Sequence, residues 1–517
     1  MSDRYALISV FDKEGVVDFA QNLHKLGYKI ISTGGTAEKL KSHKIPVIPI
    51  QEITGNRESF DGRIKTISFQ IESGILFDRK KQSHIKQAKN LNIKSIDIVV
   101  CNLYPFEQTV KKPKVKLDEA VENIDVGGPT MIRAAAKNFQ NVIVVVDPKD
   151  YEKVLKRMID NSLSEDFRKK LAAKAFYHLS FYDSQIADFL NEEFFPEEFV
   201  IPGRRKSRLR YGENPHQNAA VYFEPNTTSP LQSIQKLSGR DLSYLNFADI
   251  SAGLDSIRLF NESTAVVIKH NTPCGIALGK NSKEALQRAI EADPISAFGG
   301  VIVLNAILDL ETAKIVASFK DERKGNIDII AAPQVDKEAI ALLSSLRKSM
   351  GIYKFGKIPK NAGERHIKWF DGGFVLQDAD KYIEKSFLQW KIVTKIEPTK
   401  KQLEQMKIGW KFISRIRSNA VIVIDKDLPM TRGIGSGQTS RVNSTKIALE
   451  QAGKYAKGAV LVSDSFFPFD DSVKLAAKYK IRAIVQQGGS VRDKDSIMAA
   501  DKAGIPMVFT NTRAFWH

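Results

Sequence analysis

Cysteine is nearly absent from this chain, with Cys101 and Cys274 the only two among 517 residues. So few exclude a disulfide framework and fit a reducing compartment, and neither belongs to a CxxC pair. Long apolar runs are also missing. The longest, such as 142–146, are strand-sized and far below the roughly 20 residues of a membrane-spanning helix. The first residues run straight into a strand-like stretch, without the basic region, apolar core and small-residue cleavage site of a signal peptide. A cytoplasmic protein is expected. Glycine (32) and proline (19) are too few for a linker-dominated or disordered chain, and no low-complexity segment or short-period repeat is visible.

What is present is ordinary globular composition, 43% hydrophobic and 27% charged. The length calls for two to four domains. Lysine and arginine (78) outnumber aspartate and glutamate (60), a formal charge of +18. The basic residues are spread along the chain and no nucleic-acid-binding motif appears, so a nucleic-acid partner is not expected. Such a field favours capture of small phosphorylated or carboxylated molecules.

The first 200 residues alternate strand-like and helix-like patches in the βαβ manner, which predicts a parallel sheet. Strands are expected near 5–10, 29–32, 45–50, 96–100 and 141–146, with helices near 13–26, 117–123, 128–137 and 163–193. Prolines and a basic run at 194–207 mark the main boundary, near residue 200. Beyond it strands and helices alternate again, and Asp371-Gly372-Gly373 divides the remainder into two parts of similar size. The expected domains are therefore 1–200, 201–370 and 371–517, all of α/β type.

The apolar run 264–268 reads as a buried strand and Asn271-Thr272-Pro273-Cys274-Gly275 as a turn, so Lys269 and His270 stand at a strand end. There they can share acid, base and oxyanion duties, although such a pair is also common at a solvated edge. Near the N-terminus, Ser32-Thr33-Gly34-Gly35-Thr36 reads as a βα turn with Thr36 as helix cap. It is either an anion site or a plain tight turn. Ser9 to Lys13 ends the first strand on the same side. Arg63-Ile64-Lys65-Thr66, Cys101-Asn102-Leu103-Tyr104 and a helix opening after Asp125 join that rim, and Arg133 and Lys137 share one helix face. In the second half, Arg210-Tyr211 lies in a loop too rich in functional groups for a connector. Gly433-Ile434-Gly435-Ser436-Gly437-Gln438-Thr439-Ser440-Arg441 has the look of an anion cradle, with no Walker lysine and no clear Rossmann strand.

Taken in order, STGGT (32–36), GRIKT (62–66), CNLYPF (101–106), DVGGPTMIRAAAKN (125–138), RYGENPHQ (210–217), KHNTPCG (269–275) and SDSFFPF (463–469) closely resemble the bifunctional phosphoribosylaminoimidazolecarboxamide (AICAR) formyltransferase/IMP cyclohydrolase family of purine biosynthesis, nearly end to end. The resemblance implies a methylglyoxal-synthase-like N-terminal domain for ring closure and two cytidine-deaminase-like subdomains for formyl transfer. It implies AICAR, formamido-AICAR and 10-formyltetrahydrofolate as substrates, a homodimer with the transfer site at its interface, no catalytic metal, and room for a monovalent cation. The deaminase zinc signature is incomplete, since Pro273-Cys274 has no second cysteine after it.

By the same resemblance His270 accepts the amine proton and Lys269 assists at the oxyanion or the leaving nitrogen. Arg210, Tyr211, Asn246, Gly299, Asn419, Arg441, Phe466, Asp471 and Arg513 line the nucleotide and folate sites. For ring closure, Lys65, Tyr104, Asp125 and Lys137 surround the reacting groups, while Ser9, Lys13, Ser32, Thr33, Gly34, Gly35, Thr36, Arg63, Thr66 and Asn102 bind the nucleotide.

One departure stands out. After RIKT the family reads Leu-His-Pro, whereas this chain has Ile67-Ser68-Phe69. A formyltransferase whose N-terminal domain only binds nucleotide is therefore the alternative, and a basic nucleotide- or nucleic-acid-binding regulator without turnover is the rival from another class.

Overall fold

The computed structural model describes residues 3–56, 59–60, 64–112, 114–319, 326–360, 365–381 and 383–517. It divides into two compact units, Met1–Arg204 with Phe223–Asn226, and Arg205–Tyr222 with Thr227–His517.

In the first unit, strands β1 (Arg4–Val10), β2 (Tyr28–Ser32), β3 (Val47–Pro49), β4 (Ile96–Asn102) and β5 (Ile143–Val145) form a sheet in the order β3-β2-β1-β4-β5. All four pairings are parallel. Continuous β-branched runs suit such a sheet because both faces are covered, and Ile98, Val99 and Val100 of β4 are buried without alternation. The strand expected over 45–50 is shorter, because Pro49 has no N–H to continue the ladder and Ile50 opens the helix Ile50–Thr54. Chain order reverses between β1 and β4, and at such a switch point the loops leaving the carboxyl ends diverge and open a crevice.

A two-stranded ribbon, β6 (Arg204–Arg208) and β7 (Ala220–Phe223), comes next in the chain. The second unit is built on two six-stranded sheets. One contains β8 (Gln235–Ser238), β9 (Ser263–Lys269), β10 (Thr272–Gly279), β11 (Gly300–Leu304), β12 (Ile327–Ala332) and β13 (Gly351–Lys354), ordered β10-β9-β11-β12-β13-β8. A hairpin, β14 (Arg365–Phe370) and β15 (Gly373–Asp378), follows, turning at Asp371-Gly372. The other sheet contains β16 (Lys391–Ile392), β17 (Val421–Ile424), β18 (Thr431–Gly435), β19 (Val460–Ser463), β20 (Ala483–Gln486) and β21 (Met507–Phe509), ordered β18-β17-β19-β20-β21-β16.

These sheets are copies of one plan. From the hairpin edge inwards, each pairs antiparallel, antiparallel, parallel, parallel and antiparallel. The helices before the two hairpins, Tyr244–Ile257 and Lys400–Ile413, both open with a capping box, Ser243 with Asn246 and Thr399 with Gln402. Each carries a glycine where a side chain would strike the sheet. A Cβ on Gly253 would meet Val303 at 2.4 Å, and one on Gly409 would meet Val462 at 2.6 Å. A side-chain amide or carboxylate closes the same ladder in both, with Thr264 N donating to Asn305 Oδ1 at 2.7 Å and Ala420 N to Asp464 Oδ2 at 2.9 Å. The copies join edge to edge, Leu278 N donating to Pro429 O at 2.9 Å and Ile276 N to Thr431 Oγ1 at 3.2 Å.

Two expectations from the sequence need correction. The segment 272–275 is not a turn but the start of β10, and only His270 and Asn271 turn the chain. Pro273 is tolerated because β10 is an edge strand with a register shift between Pro273 and Gly275. Gly433 and Gly435, the first part of the expected glycine-rich loop, belong to β18, glycine there because Cβ atoms would lie 1.9 Å from Ala448 O and Ser444 O of the covering helix Arg441–Ala452. Gly275 meets Ala289 O at 2.0 Å in the same way. We expect Gly433→Ala to cost about 2–3 kcal/mol by forcing helix and strand apart. Thermal unfolding of the full chain measures this, and an unchanged midpoint would show that the helix retreats freely.

Candidate active sites

At the carboxyl ends of the N-terminal sheet, five of the expected loops converge. Thr33 caps the helix Gly34–Ser42, so Thr36 is not the cap. Its hydroxyl lies inside the first turn, where it accepts from Val10 N at 3.1 Å and donates to Val10 O at 2.9 Å. Ser32 likewise donates to Ile8 O at 2.6 Å. Both hydroxyls brace the turn against β1. The exposed surface of the turn is left to Gly34 and Gly35, beside the Thr33 hydroxyl, which is buried without a hydrogen-bond partner. Lysines flank that helix start, Lys65 Nζ 3.9 Å from the Cβ position of Gly34 and Lys13 Cε 3.8 Å from that of Gly35. Two cations and a helix N-terminus suit a phosphate.

Opposite stands Asp125. Burial raises its carboxyl above the ordinary carboxylate range, while N–H groups of Gly128 and Tyr104 and the charge of Lys65 oppose the rise. Gly128 N donates to Asp125 Oδ1 at 2.8 Å. Gly127 and Gly128 are required by close approach: Cβ atoms there would lie 2.4 Å from Thr66 Oγ1 and 2.7 Å from Asp125 Oδ2. Asn102 accepts from Phe11 N and Asp12 N at 2.7 and 2.9 Å, clamping the loop after β1. Ser9 lies within β1, opposite Cys101. Arg133 pairs with Asp183 at 3.4 Å. Lys137 closes the helix Gly127–Lys137, about 15 Å along its axis from Gly127 at 1.5 Å per residue. Arg63 lies outside the described residues.

The candidates of the second unit form two clusters. On the first copy, Lys269 ends β9 and donates through Nζ to Phe298 O at 2.7 Å, next to Gly299. His270 and Asn271 both adopt left-handed φ, 54° and 60°. Such a turn of non-glycine residues needs support, and Asn271 N donates to the buried Asp249 carboxylate at 2.7 Å. Burial raises the Asp249 carboxyl, and nearby His270 offsets part of that rise. Asn246 sits one turn before Asp249, and Tyr211 O accepts from Tyr244 N at 3.0 Å, tying the Arg210-Tyr211 loop to the same helix. The Arg210 guanidinium lies 4.6 Å from the Tyr211 ring centroid.

On the second copy a cavity of about 480 Å³ is lined by Asn419, Arg441, Phe466, Asp471 and Arg513 together with Phe515. Arg441 is buried against Asp464 and donates to Asn419 Oδ1 at 2.6 Å and Ser463 Oγ at 3.0 Å. Arg441 therefore organises the wall, and Arg513, exposed and 4.4 Å from the Phe515 ring centroid, is the freer cation. The two clusters occupy opposite ends of equivalent strands, one following β9 and the other preceding β17. Among the described residues no group of three or more His, Cys, Asp or Glu could hold a metal ion, and no helix is long and apolar enough to cross a membrane.

Two family models match the chain. An MGS-like domain model matches residues 15–130, and the AICARFT/IMPCHase bienzyme model matches residues 135–451. The bifunctional purine biosynthesis proteins PurH of Persephonella marina and Halalkalibacterium halodurans are each 44% identical, covering 99% of this chain and 100% of their own. That of Listeria monocytogenes is also 44% identical, covering 99% of both. The chain belongs to the AICARFT/IMPCHase bienzyme family. One solved structure, "Crystal structure of ForH", aligns at 33% identity with 37% of this chain and all of its own, at a TM-score of 0.33.

Within this bienzyme the departure at Ser68-Phe69 has a local structural role. Ser68 caps the helix Phe69–Leu76, its Oγ accepting from Ile71 N at 3.1 Å, and Phe69 is exposed. On that helix one Glu72 carboxylate oxygen is buried without a hydrogen-bond partner, and desolvation pushes the group up to about 7. Sequence reasoning missed Asp249 and Asp464. Each was visible as an acid inside an apolar stretch, a position that demands a partner.

Two outcomes are expected. Between the ordinary glutamate value and about 7 the native state holds more protons at Glu72 than the unfolded chain, so this residue's contribution is fully present at low pH and falls as pH rises through 7. Glu72→Gln should therefore unfold at a higher temperature than wild type at pH 8 and show little difference at pH 4, whereas an equal gap at both would contradict the assignment. Asp249→Ala should lower the rate of formyl transfer by on the order of 10²-fold through misplacement of His270, with Asp249→Asn, which retains an acceptor, less affected. Initial rates decide, and a wild-type rate in the alanine variant would contradict the role.

Proposed function

We propose that this chain catalyses the last two steps of IMP formation: formyl transfer from 10-formyltetrahydrofolate to AICAR, then dehydrative ring closure of formamido-AICAR. The carrying observation is that 44% identity to proteins named bifunctional extends over both units, which favours this reading over transfer alone. The domain limits 1–200, 201–370 and 371–517 are proposed to follow this division of labour, and the enzyme is proposed to act in the cytoplasm.

In the transfer reaction, the amine nitrogen of AICAR bonds to the formyl carbon and the bond from that carbon to the folate N10 breaks. The amine is conjugated to an imidazole carboxamide and is a poor nucleophile, so a base must assist. The turn that carries His270 supports this role, His270 taking the amine proton while the Lys269 ammonium stabilises the oxyanion or supplies the proton for N10. Arg210 is suited to the nucleotide phosphate. Phe466 and Phe515 offer aromatic faces to a pterin, with Arg513 near its acidic tail. Because the two clusters sit at opposite ends of equivalent strands, we further propose that a second copy of the chain completes each transfer site in a homodimer.

In the closure, the carboxamide nitrogen attacks the formyl carbon and water leaves. The reaction is intramolecular, so binding in the folded-over geometry supplies much of the acceleration. Lys65 and Asp125, adjacent in charge across the crevice, are suited to move the protons, with Tyr104 beside them.

Two assays on one purified sample test the reading: formyl transfer to AICAR, and ring closure of preformed formamido-AICAR without folate. We expect both activities, with His270→Ala abolishing only the first and Lys65→Ala only the second. Transfer without closure would make the N-terminal unit a nucleotide binder. Tight, salt-sensitive binding to DNA or RNA with neither activity would support a regulator instead.

A further inference from the structure

The rim of the N-terminal crevice is nearly a closed ring, and one member has no assigned task. From Lys13 beside Gly35 the rim passes to Lys65 beside Gly34, then to Asp125 and to Tyr104, whose N–H reaches the Asp125 carboxylate. It returns through Phe11, whose ring centroid lies 5.4 Å from that of Tyr104 at an interplanar angle of 56°. Lys13 closes the circuit, its Nζ 6.0 Å from the Phe11 ring centroid and donating to Phe11 O at 3.2 Å.

Phe11 is 46% exposed and Tyr104 45%. A single exposed phenylalanine needs no explanation on most surfaces. This one differs in being held firmly: Asn102 Oδ1 accepts from the N–H groups of Phe11 and Asp12, and Asn102 Nδ2 donates to Asp12 O at 3.0 Å. A loop anchored to β4 at the switch point thus presents an apolar face beside Lys13, on the same rim as Lys65 and the helix start. Charge at one end and a flat ring at the other match a ribonucleotide, phosphate on the glycines and heterocycle on the ring.

We propose that Phe11, backed by Tyr104, is the stacking platform for the heterocycle in the N-terminal site. This rests on the reading of that site as the ring-closing one. A ring that stacks recognises any flat base and so tolerates both the open formamido-imidazole and the closed purine, which the reaction requires of its wall. Base stacking on an aromatic side chain is commonly worth a factor of 10 or more in affinity.

Isothermal titration of the full-length protein with IMP, and separately with ribose 5-phosphate as the baseless probe, tests the proposal, Lys65→Ala marking the share of binding that belongs to this site. Phe11→Ala should weaken IMP about 10-fold or more and leave ribose 5-phosphate unchanged. Phe11→Trp should keep IMP affinity. The KM for ring closure should rise in Phe11→Ala with little change in kcat, and formyl transfer measured in parallel reports that the variant is folded. Unchanged IMP affinity in Phe11→Ala would overturn the proposal, as would equal loss of both ligands, which would make Phe11 a support for the loop. If wild-type protein neither binds IMP nor closes the ring, the reading of the site fails as well, an outcome distinct from failure of Phe11 alone.

Discussion

How closely helices approach sheets governs the second unit. At Gly253 and Gly409 the helices preceding the hairpins press on the sheet, and at Gly275 and Gly433 the hairpin edge strands press on helix carbonyls. Any side chain at these four positions would separate the layers. Because the distances match in the two copies, the hairpins and their flanking loops occupy equivalent positions in each, and the functional groups inherit that placement.

The copies then use equivalent positions differently. In the first, the residue after Ile268 is Lys269, reaching the carbonyl of Phe298, and the turn beyond it is held by Asp249. In the second, the residue after Ile424 is Asp425, which accepts from Arg432 Nε at 2.6 Å and from the N–H groups of Asp427 and Leu428. That hairpin end is held together by its own carboxylate. At the opposite strand end Asp464 fills the role of Asn305 and holds Arg441 as well. Buried ion pairs of this kind contribute little net stability and are costly to break, so they act chiefly to fix position.

In the first unit the same end is reached by other means. Hydroxyls of Ser32 and Thr36 lock a glycine turn to β1, and Asn102 locks the loop after β1 to β4. Polar side chains that resemble ligand contacts in the sequence also brace the scaffold. Among the described residues, the groups at the crevice include backbone N–H, the Thr33 hydroxyl, lysine ammonium, one raised carboxyl and two aromatic rings.

The amino-acid order by itself determined the parallel first sheet and the motifs that carry the family resemblance, because β-branched runs, glycine turns and proline breaks act over a few residues. It also marked Lys269 and His270 at a strand end, and Gly127-Gly128 at a helix start. Only the tertiary structure decided that Pro273 lies in an edge strand, that Gly433 and Gly435 pack beneath a helix, that Thr36 is a brace, and that Phe11 faces Tyr104. It also showed, strand by strand, that residues 235–354 and 391–509 follow the one plan that the family resemblance implied. The physical reason is common to all of these: a hydroxyl, a glycine or an exposed ring has no role of its own until a neighbour far along the chain arrives to satisfy it, collide with it or leave it open.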